Sequence, residues 1–269
     1  MKKIKNLFGI IAITIVVFAI FSFVSNNNTK EEKTHEESVK KASPTEIIEL
    51  LTKGNERFIS GKSIHPNADS HRLALANEKN QADYAIATVL SCSDSRVPVE
   101  MIFDAGIMDL FVIRVAGNVA DSDEIGTIEY GTHHVKTPVI VVLGHTKCGA
   151  VTAVTQAVEG HGHALEYNIP GLVDNIIPPV KKVIESHKDS HSENIIPMAI
   201  EENVWQSVSD ILLRSAAVRE KVVSGEVKII GAIYDLSTGK VKWLDDKVSS
   251  ILQEVDKNPN KNTKVLAEH

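Results

Sequence analysis

Pro138-Val-Ile-Val-Val-Leu-Gly144, followed at once by His145-Thr-Lys-Cys148, is the stretch that decides the fold. A second stretch has the same design, since Tyr84-Ala-Ile-Ala-Thr-Val-Leu-Ser91 runs into Cys92-Ser-Asp-Ser-Arg96. Short apolar runs rich in β-branched residues are typical of strands buried on both faces of a parallel sheet. Ligands of open α/β sheets bind beyond the carboxyl ends of the strands. This topology can therefore bring the two polar clusters together.

Further apolar runs alternate with helical stretches along the chain. The predicted parallel strands are Ala85–Leu90, Leu110–Val115, Pro138–Leu143 and Val227–Tyr234, and Val241–Leu244 is expected to return antiparallel at the edge. The predicted helices between them are Ile125–His134, Gly149–Val158, Leu172–Ser186 and Ile196–Val223. Strands that alternate with helices predict an α/β fold. We expect a mostly parallel central sheet, with about four parallel strands plus an antiparallel edge strand, flanked by helices.

A helical arm is predicted at the start of the globular part. Ser43 can cap this helix, Pro44 suits its first turn, and Glu46 can bond back to the cap. Apolar residues then recur at helical spacing until Gly61 ends the segment. The arm and the apolar strands both need covering, which predicts at least a dimer.

The N-terminus is typical of an export signal. Lys2, Lys3 and Lys5 precede Leu7–Val24, 18 uncharged and mainly apolar residues. As a helix this stretch would span about 27 Å at about 1.5 Å per residue, close to the hydrocarbon thickness of a bilayer. We predict a signal peptide or membrane anchor over residues 1–25, which places the protein outside the cytoplasmic membrane as a secreted, periplasmic or anchored protein.

The remaining boundaries follow from composition. Residues 26–42 are polar and rich in Lys, Glu and Asn, which predicts a flexible linker. A catalytic domain is predicted over residues 43–256, with a polar tail at 257–269. The net charge of −6 and the 5% aromatic content argue against a nucleic-acid partner.

The chain has only two cysteines, and three interpretations of them compete. Cys92, His145 and Cys148 form a Cys₂His set, which suits zinc and leaves the fourth tetrahedral position open for water. In an exported protein Cys92 and Cys148 could instead form a disulfide in a non-catalytic binding protein. A reactive thiol is a third interpretation, although neither cysteine lies in a C-x-x-C pair. Zinc explains more, because a disulfide needs neither the histidine nor the Asp94 and Arg96 that flank Cys92.

The same residues resemble a known family. Cys92-Ser-Asp-Ser-Arg-Val-Pro98 and Gly144-His-Thr-Lys-Cys-Gly149 are similar to the two signature motifs of β-class carbonic anhydrases. The resemblance continues through Asp109-Leu-Phe-Val-Ile-Arg-Val-Ala-Gly-Asn118 and Ile125-Gly-Thr-Ile-Glu-Tyr130. It covers roughly Thr45–Leu244, with the zinc-site elements in the correct order and at the correct spacing.

The resemblance implies one zinc ion per chain, bound by Cys92, His145 and Cys148, with Asp94 and Arg96 as a catalytic dyad. It also implies a homodimer or higher homo-oligomer with active sites at the subunit interface. The expected reaction is reversible hydration of CO₂ to bicarbonate and a proton by a zinc-bound hydroxide. Asp94 would accept a hydrogen bond from that hydroxide, and Arg96 would grip the carboxylate bidentately.

Three points stay open at this stage. The same zinc centre could hydrolyse COS or CS₂ instead. The family commonly places a substrate-contacting glutamine nine residues before the first zinc cysteine, where this chain has Asp83, with Gln81 two residues earlier. Arg114 matches an arginine of the family pattern, and its role could be a structural ion pair or anion binding.

Overall fold

The computed structural model describes residues 41–188 and 192–267. The predicted signal peptide or anchor, with Leu7–Val24, and most of the predicted linker lie outside the described residues. Within the described part, no helix is long and apolar enough to cross a membrane.

A five-stranded sheet forms the centre of the domain, in the order β2-β1-β3-β4-β5. The strands are β1 (Ala87–Ser91), β2 (Leu110–Arg114), β3 (Val139–His145), β4 (Lys228–Tyr234) and β5 (Val241–Trp243). The first four are parallel, and β5 pairs antiparallel with β4. The predicted fold class, including the antiparallel edge strand, is confirmed.

The strand order creates a switch point between β1 and β3. From β1 the chain crosses to β2 on one side, and then returns to β3 on the other side. Ser91 at the end of β1 pairs with Leu143, so β3 extends two residues further, to His145. Crevices at such switch points, beyond the carboxyl ends of the strands, are where open α/β sheets bind ligands.

Helices cover both faces of the sheet. In chain order they are α1 (Pro44–Ile59), α2 (Ser70–Glu78), α3 (Val99–Ile102), α4 (Ser122–His133), α5 (Gly149–Val158), α6 (Ile169–Val173), α7 (Ile177–Ser186), α8 (Ser192–Arg214), α9 (Ala216–Val223) and α10 (Val248–Lys257). Short 3₁₀ turns occur at Gln81–Asp83, Ala116–Asn118 and Asp174–Ile176.

The apolar strand residues divide between two cores because successive side chains point to opposite faces. Leu90 and Ile140 belong to the core that includes side chains of α4, α8, α9 and α10. Val89 and Val141 belong to the other core, together with residues of α1 and α3. Strands that are apolar on both faces are therefore explained by helices on both faces.

The N-terminal helix begins as predicted but does not extend away from its own domain. Ser43 and Glu46 form the expected capping box. On the buried face, Ile47 and Leu51 are 0% and 2% exposed and belong to the core of this same chain. Thr52 accepts a hydrogen bond of 2.9 Å from the indole of Trp243 on β5. The arm is thus partly covered within the subunit, whereas Leu50 and Ile59 remain 50% and 44% exposed.

Two predicted helices are divided in the structure. The stretch predicted as Leu172–Ser186 is interrupted by the 3₁₀ turn at Asp174–Ile176, and α7 then starts with Pro178 in its first turn. Proline fits a first turn but has no N–H for a helix interior. The stretch predicted as Ile196–Val223 breaks at Ser215, whose hydroxyl caps α9 at the N–H of Val218.

Three helices were not predicted from the sequence. They are α2, the short α3 and α10, and α10 buries Ile251 and Val255, which lie four residues apart on one face. Beyond α10, the side-chain amide of Asn262 donates to the carbonyl of Arg214, and its backbone N–H donates to the carbonyl of Leu213.

Candidate metal centre

Cys92, His145 and Cys148 meet at the carboxyl ends of β1 and β3. Their ligand atoms all lie within 4.8 Å of one another, and all three residues are buried. Cys92 directly follows β1, His145 is the last residue of β3, and Cys148 immediately precedes α5. Both cysteines are free thiols, so the structure does not contain the disulfide of the alternative interpretation. The predicted cluster is therefore brought together by the topology.

A tight turn positions His145 and Cys148. Lys147, between the histidine and the cysteine, has a left-handed φ of 55°, which turns the chain back within two residues. The N–H of Thr146 donates to the carbonyl of Tyr234 at 2.9 Å, and its hydroxyl accepts from the N–H of Leu236 at 3.0 Å. Strand β4 therefore fixes the turn that carries His145 and Cys148.

The imidazole of His145 is oriented as a ligand. Its Nδ1 lies 3.0 Å from the carbonyl oxygen of Thr146, which can only accept, so Nδ1 carries the proton. Nε2 is then left with its lone pair, and it is buried without a hydrogen-bond partner among the described residues. A buried acceptor without a partner, facing two thiols, fits a metal that prefers nitrogen and sulfur donors. The residues present therefore fit zinc.

The two thiols share a proton. A hydrogen bond from Cys148 lowers the pKa of Cys92, and a hydrogen bond from the backbone N–H of Gly117 at 3.3 Å acts in the same direction. The pKa of Cys148 is raised, first because it holds the shared proton and second because it is buried. A bound cation would displace the thiol protons, because metal binding requires the thiolate form.

Asp94 and Arg96 form the predicted bidentate pair next to the cluster. Nε of Arg96 donates to Oδ1 of Asp94 at 2.9 Å, and Nη2 donates to Oδ2 at 2.6 Å. The backbone N–H of Arg96 adds a third hydrogen bond to Oδ1 at 2.9 Å. These contacts hold the pKa of the Asp94 carboxyl well below its usual range. Oδ2 lies 3.9 Å from Nε2 of His145, so an ionised carboxylate faces the ligand cluster without joining it.

Comparison with known proteins identifies the family. Residues 87–241 match the sequence model of the family described as "Carbonic anhydrase". A curated relative from Mycobacterium tuberculosis, named "Carbonic anhydrase 2", is 34% identical over 218 residues, covering 79% of this chain and 98% of that protein. The chain belongs to the β-carbonic anhydrase family.

Solved structures of β-carbonic anhydrases share the fold. An enzyme from Aspergillus fumigatus aligns with a TM-score of 0.56 at 23% identity, covering 78% of this chain and 96% of that one. Enzymes from Sordaria macrospora, which are described as tetrameric, align with a TM-score of 0.53 at 21% identity, covering 75% and 98% of the two chains. At these identities the likeness extends to the architecture alone.

Arg114 of this β-carbonic anhydrase binds backbone carbonyls, a contact that the sequence did not indicate. Its Nε donates to the carbonyl of Cys92 at 3.0 Å, and its Nη2 donates to the carbonyl of Asp94 at 2.6 Å. Among the residues that the structure describes it forms no ion pair. The arginine instead holds together the backbone that carries a metal ligand and the neighbouring carboxylate.

Gln81 is not brought to the metal centre of its own chain. It lies in the 3₁₀ turn before β1, whereas Cys92 follows β1 at the other end, and the strand spans about 13 Å at about 3.3 Å per residue. Asp83 in the same turn faces the ammonium of Lys41, which donates to the carbonyl of Val135 shortly before β3 begins. Gln81 therefore belongs to the amino-terminal edge of the sheet.

Proposed function

We propose that this protein is a zinc-dependent carbonic anhydrase that interconverts CO₂ and water with bicarbonate and a proton. One observation carries the proposal most directly: a buried Cys₂His cluster whose histidine presents an unpartnered Nε2, in a chain of the β-carbonic anhydrase family. Three protein ligands leave the fourth tetrahedral position for water or substrate, as in catalytic rather than structural zinc sites.

The surroundings of both cysteines favour the thiolate form that would bind one zinc ion per chain. The sulfur of Cys92 accepts the N–H of Gly117, which favours its thiolate form. Cys148 lies at the N-terminus of α5, where the helix dipole favours negative charge. When bound, zinc supplies the Lewis acid that lowers the pKa of a coordinated water toward neutrality. Two thiolates balance the charge of the ion, so this acidification should be weaker than in a site with three neutral histidines.

Asp94 and Arg96 would orient the reacting water. The carboxylate of Asp94 is ionised over the whole working pH range, because Arg96 lowers its pKa. An ionised carboxylate only accepts hydrogen bonds, so Asp94 can hold a proton of the water and turn a lone pair toward CO₂. Arg96 uses two donors on this carboxylate and one on the carbonyl of Lys147 at 3.3 Å, which keeps Oδ2 from moving onto the metal.

We also propose that the enzyme is a homo-oligomer, at least a dimer. Two apolar cavities, of about 560 and 840 Å³, lie on either side of α5 and share Ala153 in their lining. Surface depressions this apolar are typical of sites covered by another molecule. A second copy would also be the source of a substrate-contacting Gln81, since the chain's own Gln81 lies at the far end of β1. Light scattering of residues 43–269 at micromolar concentration should show a dimer or larger species, and a monomer would contradict this.

Export is proposed on the sequence alone. Leu7–Val24 after three lysines supports a signal peptide or anchor, with the enzyme outside the cytoplasmic membrane. Expression of the full chain in a bacterial host, followed by fractionation and mass spectrometry of the N-terminus, tests it. Recovery of the intact chain in the soluble cytoplasmic fraction would contradict the proposal.

Metal analysis coupled to CO₂ hydration tests the central proposal. The purified enzyme should contain about one zinc per chain, and Cys92→Ser, His145→Ala or Cys148→Ser should each lose the metal and the activity, because the cluster among the described residues has no further cysteine or histidine and Arg96 holds Asp94. Ser95→Ala, an exposed position between Asp94 and Arg96, is the matched control and should keep both. Full zinc occupancy in Cys148→Ser would contradict the ligand assignment. The same preparation assayed with COS and CS₂ separates the two hydrolytic alternatives from CO₂ hydration.

A further inference from the structure

The 3₁₀ turn Ala116–Asn118 is held from behind by helix α8. The side-chain amide of Asn203 donates to the carbonyl of Gly117 at 2.7 Å. One turn later on the same helix, the hydroxyl of Ser207 donates to the carbonyl of Asn118 at 2.9 Å. Asn203 and Ser207 are 1% and 2% exposed, so both contacts are shielded from water. Two neighbouring carbonyls of one turn are thus fixed by two side chains of one helix.

Gly117 links this helix to the metal centre. Its N–H donates to Sγ of Cys92 at 3.3 Å, while its carbonyl accepts from Asn203. Its φ is 75°, in the left-handed region. Glycine adopts this region without strain, but it adopts other backbone conformations equally readily. A residue with this freedom needs a second fixed point if its N–H is to stay aimed at one sulfur atom, and the amide of Asn203 provides that point.

The polar groups around the turn are not arranged for packing alone. Oδ1 of Asn203 and Nδ2 of Asn118 are both buried without a hydrogen-bond partner among the described residues. Leaving buried polar atoms unpaired is unfavourable for folding, so an asparagine placed only to fill space is disfavoured against an apolar residue of similar size. The bond that Asn203 makes to Gly117 is therefore the contact that explains its presence.

We propose that Asn203 is a positioning residue of the metal centre, which acts through Gly117 on the thiolate of Cys92. A hydrogen bond to a thiolate stabilises its charge and sets how much electron density the sulfur gives to a metal. Groups that orient metal ligands in this way affect metal retention almost as strongly as the ligands themselves. The inference rests on the proposed function, because it requires zinc at the cluster.

The test compares variants of Asn203 with a matched control on the same helix. Asn203→Leu removes the donor and keeps the branching of the side chain, and Asn203→Ala, which adds no volume, is the second variant in case the larger leucine does not fit. Ser207→Ala removes the neighbouring bond to the same turn but none to Gly117. We expect both Asn203 variants to lose zinc to a chromogenic chelator about tenfold faster than the wild type. Ser207→Ala should lose zinc at close to the wild-type rate.

A spectroscopic measurement separates positioning from loosening of the fold. In the cobalt-substituted protein, loss of the N–H···S bond should move the thiolate-to-cobalt charge-transfer band to lower energy, because a less stabilised thiolate gives up its electron more easily. The band should move in the Asn203 variants and not in Ser207→Ala. Equal zinc loss in all three variants, or an unshifted band in the Asn203 variants, would overturn the inference. A wild type that holds neither zinc nor cobalt would instead refute the proposed function.

Discussion

Arg114→Met is expected to weaken both the fold and the metal centre. The change removes hydrogen bonds of 3.0 and 2.6 Å from one guanidinium to the carbonyls of Cys92 and Asp94. Each bond should contribute about 1 kcal/mol net, because the arginine is in contact with water. The loss of about 2 kcal/mol should lower the Tm of a domain of this size by about 4–8 °C, measured by circular dichroism. Without these bonds the loop that carries Cys92 and Asp94 should shift, which should lower kcat/KM for CO₂ hydration by about 10- to 100-fold.

Arg114→Lys separates positioning from attraction of anions. Lysine keeps the positive charge but has a single ammonium, which cannot reproduce the planar fork that spans two carbonyls. If Arg114 positions the loop, Arg114→Lys should lose activity and Tm nearly as Arg114→Met does. If the arginine served mainly to attract bicarbonate, its lysine variant would keep kcat/KM in both directions. Wild-type Tm and kcat/KM in Arg114→Lys would refute the positioning role.

Three further variants test other parts of the structure. Asp94→Asn should keep zinc but lose about 100-fold or more in kcat, because a neutral amide orients the reacting water poorly; unchanged kcat would contradict this. Burial raises the pKa of Asp210 to about 6, above its ordinary 3.8, so folding loses stability as the pH rises through this window. Asp210→Asn should therefore raise the free energy of unfolding at pH 7.5 by up to about 2–3 kcal/mol and change it little at pH 4. Urea unfolding at both pH values measures this, and equal effects at the two would contradict it. Gly117→Ala should destabilise the fold by about 2 kcal/mol, because alanine is strained at a φ of 75° and its Cβ would lie 2.6 Å from Ile176. Thermal melts with and without chelator test this, and a wild-type Tm would contradict it.

The parts of the fold that depend on local pattern were predictable. Apolar β-branched runs located all five strands to within two residues at either end, and α5 has the predicted bounds Gly149–Val158. The metal cluster was predictable as well, because parallel strands place their carboxyl ends at one edge whatever lies between them in sequence. The order of the strands in the sheet was not predicted, because the sequence of one apolar run does not indicate which distant strand pairs with it.

The parts that depend on backbone partners were not predictable. Arg114 binds carbonyl oxygens, which every residue carries, so no side-chain pattern marks its targets. Asn203 lies 86 residues from the glycine it holds, inside a helix where asparagine has no local reason to occur. The break at Ser215 was missed for a similar reason, because its hydroxyl both caps a helix and donates to Glu129 at 2.6 Å.

The closeness of the two thiols has a consequence for how the enzyme is assembled. With sulfur atoms within 4.8 Å, an external oxidant that removes two electrons and two protons can join Cys92 and Cys148 into a cystine. That single event would destroy both sulfur donors at once. A coordinated ion prevents it and so serves as a protecting group for the pair. If the protein works outside the cytoplasm, zinc binding and thiol oxidation compete for the same two sulfur atoms. A copy that binds zinc before export stays active, whereas a copy that is oxidised first stays inactive until its disulfide is reduced.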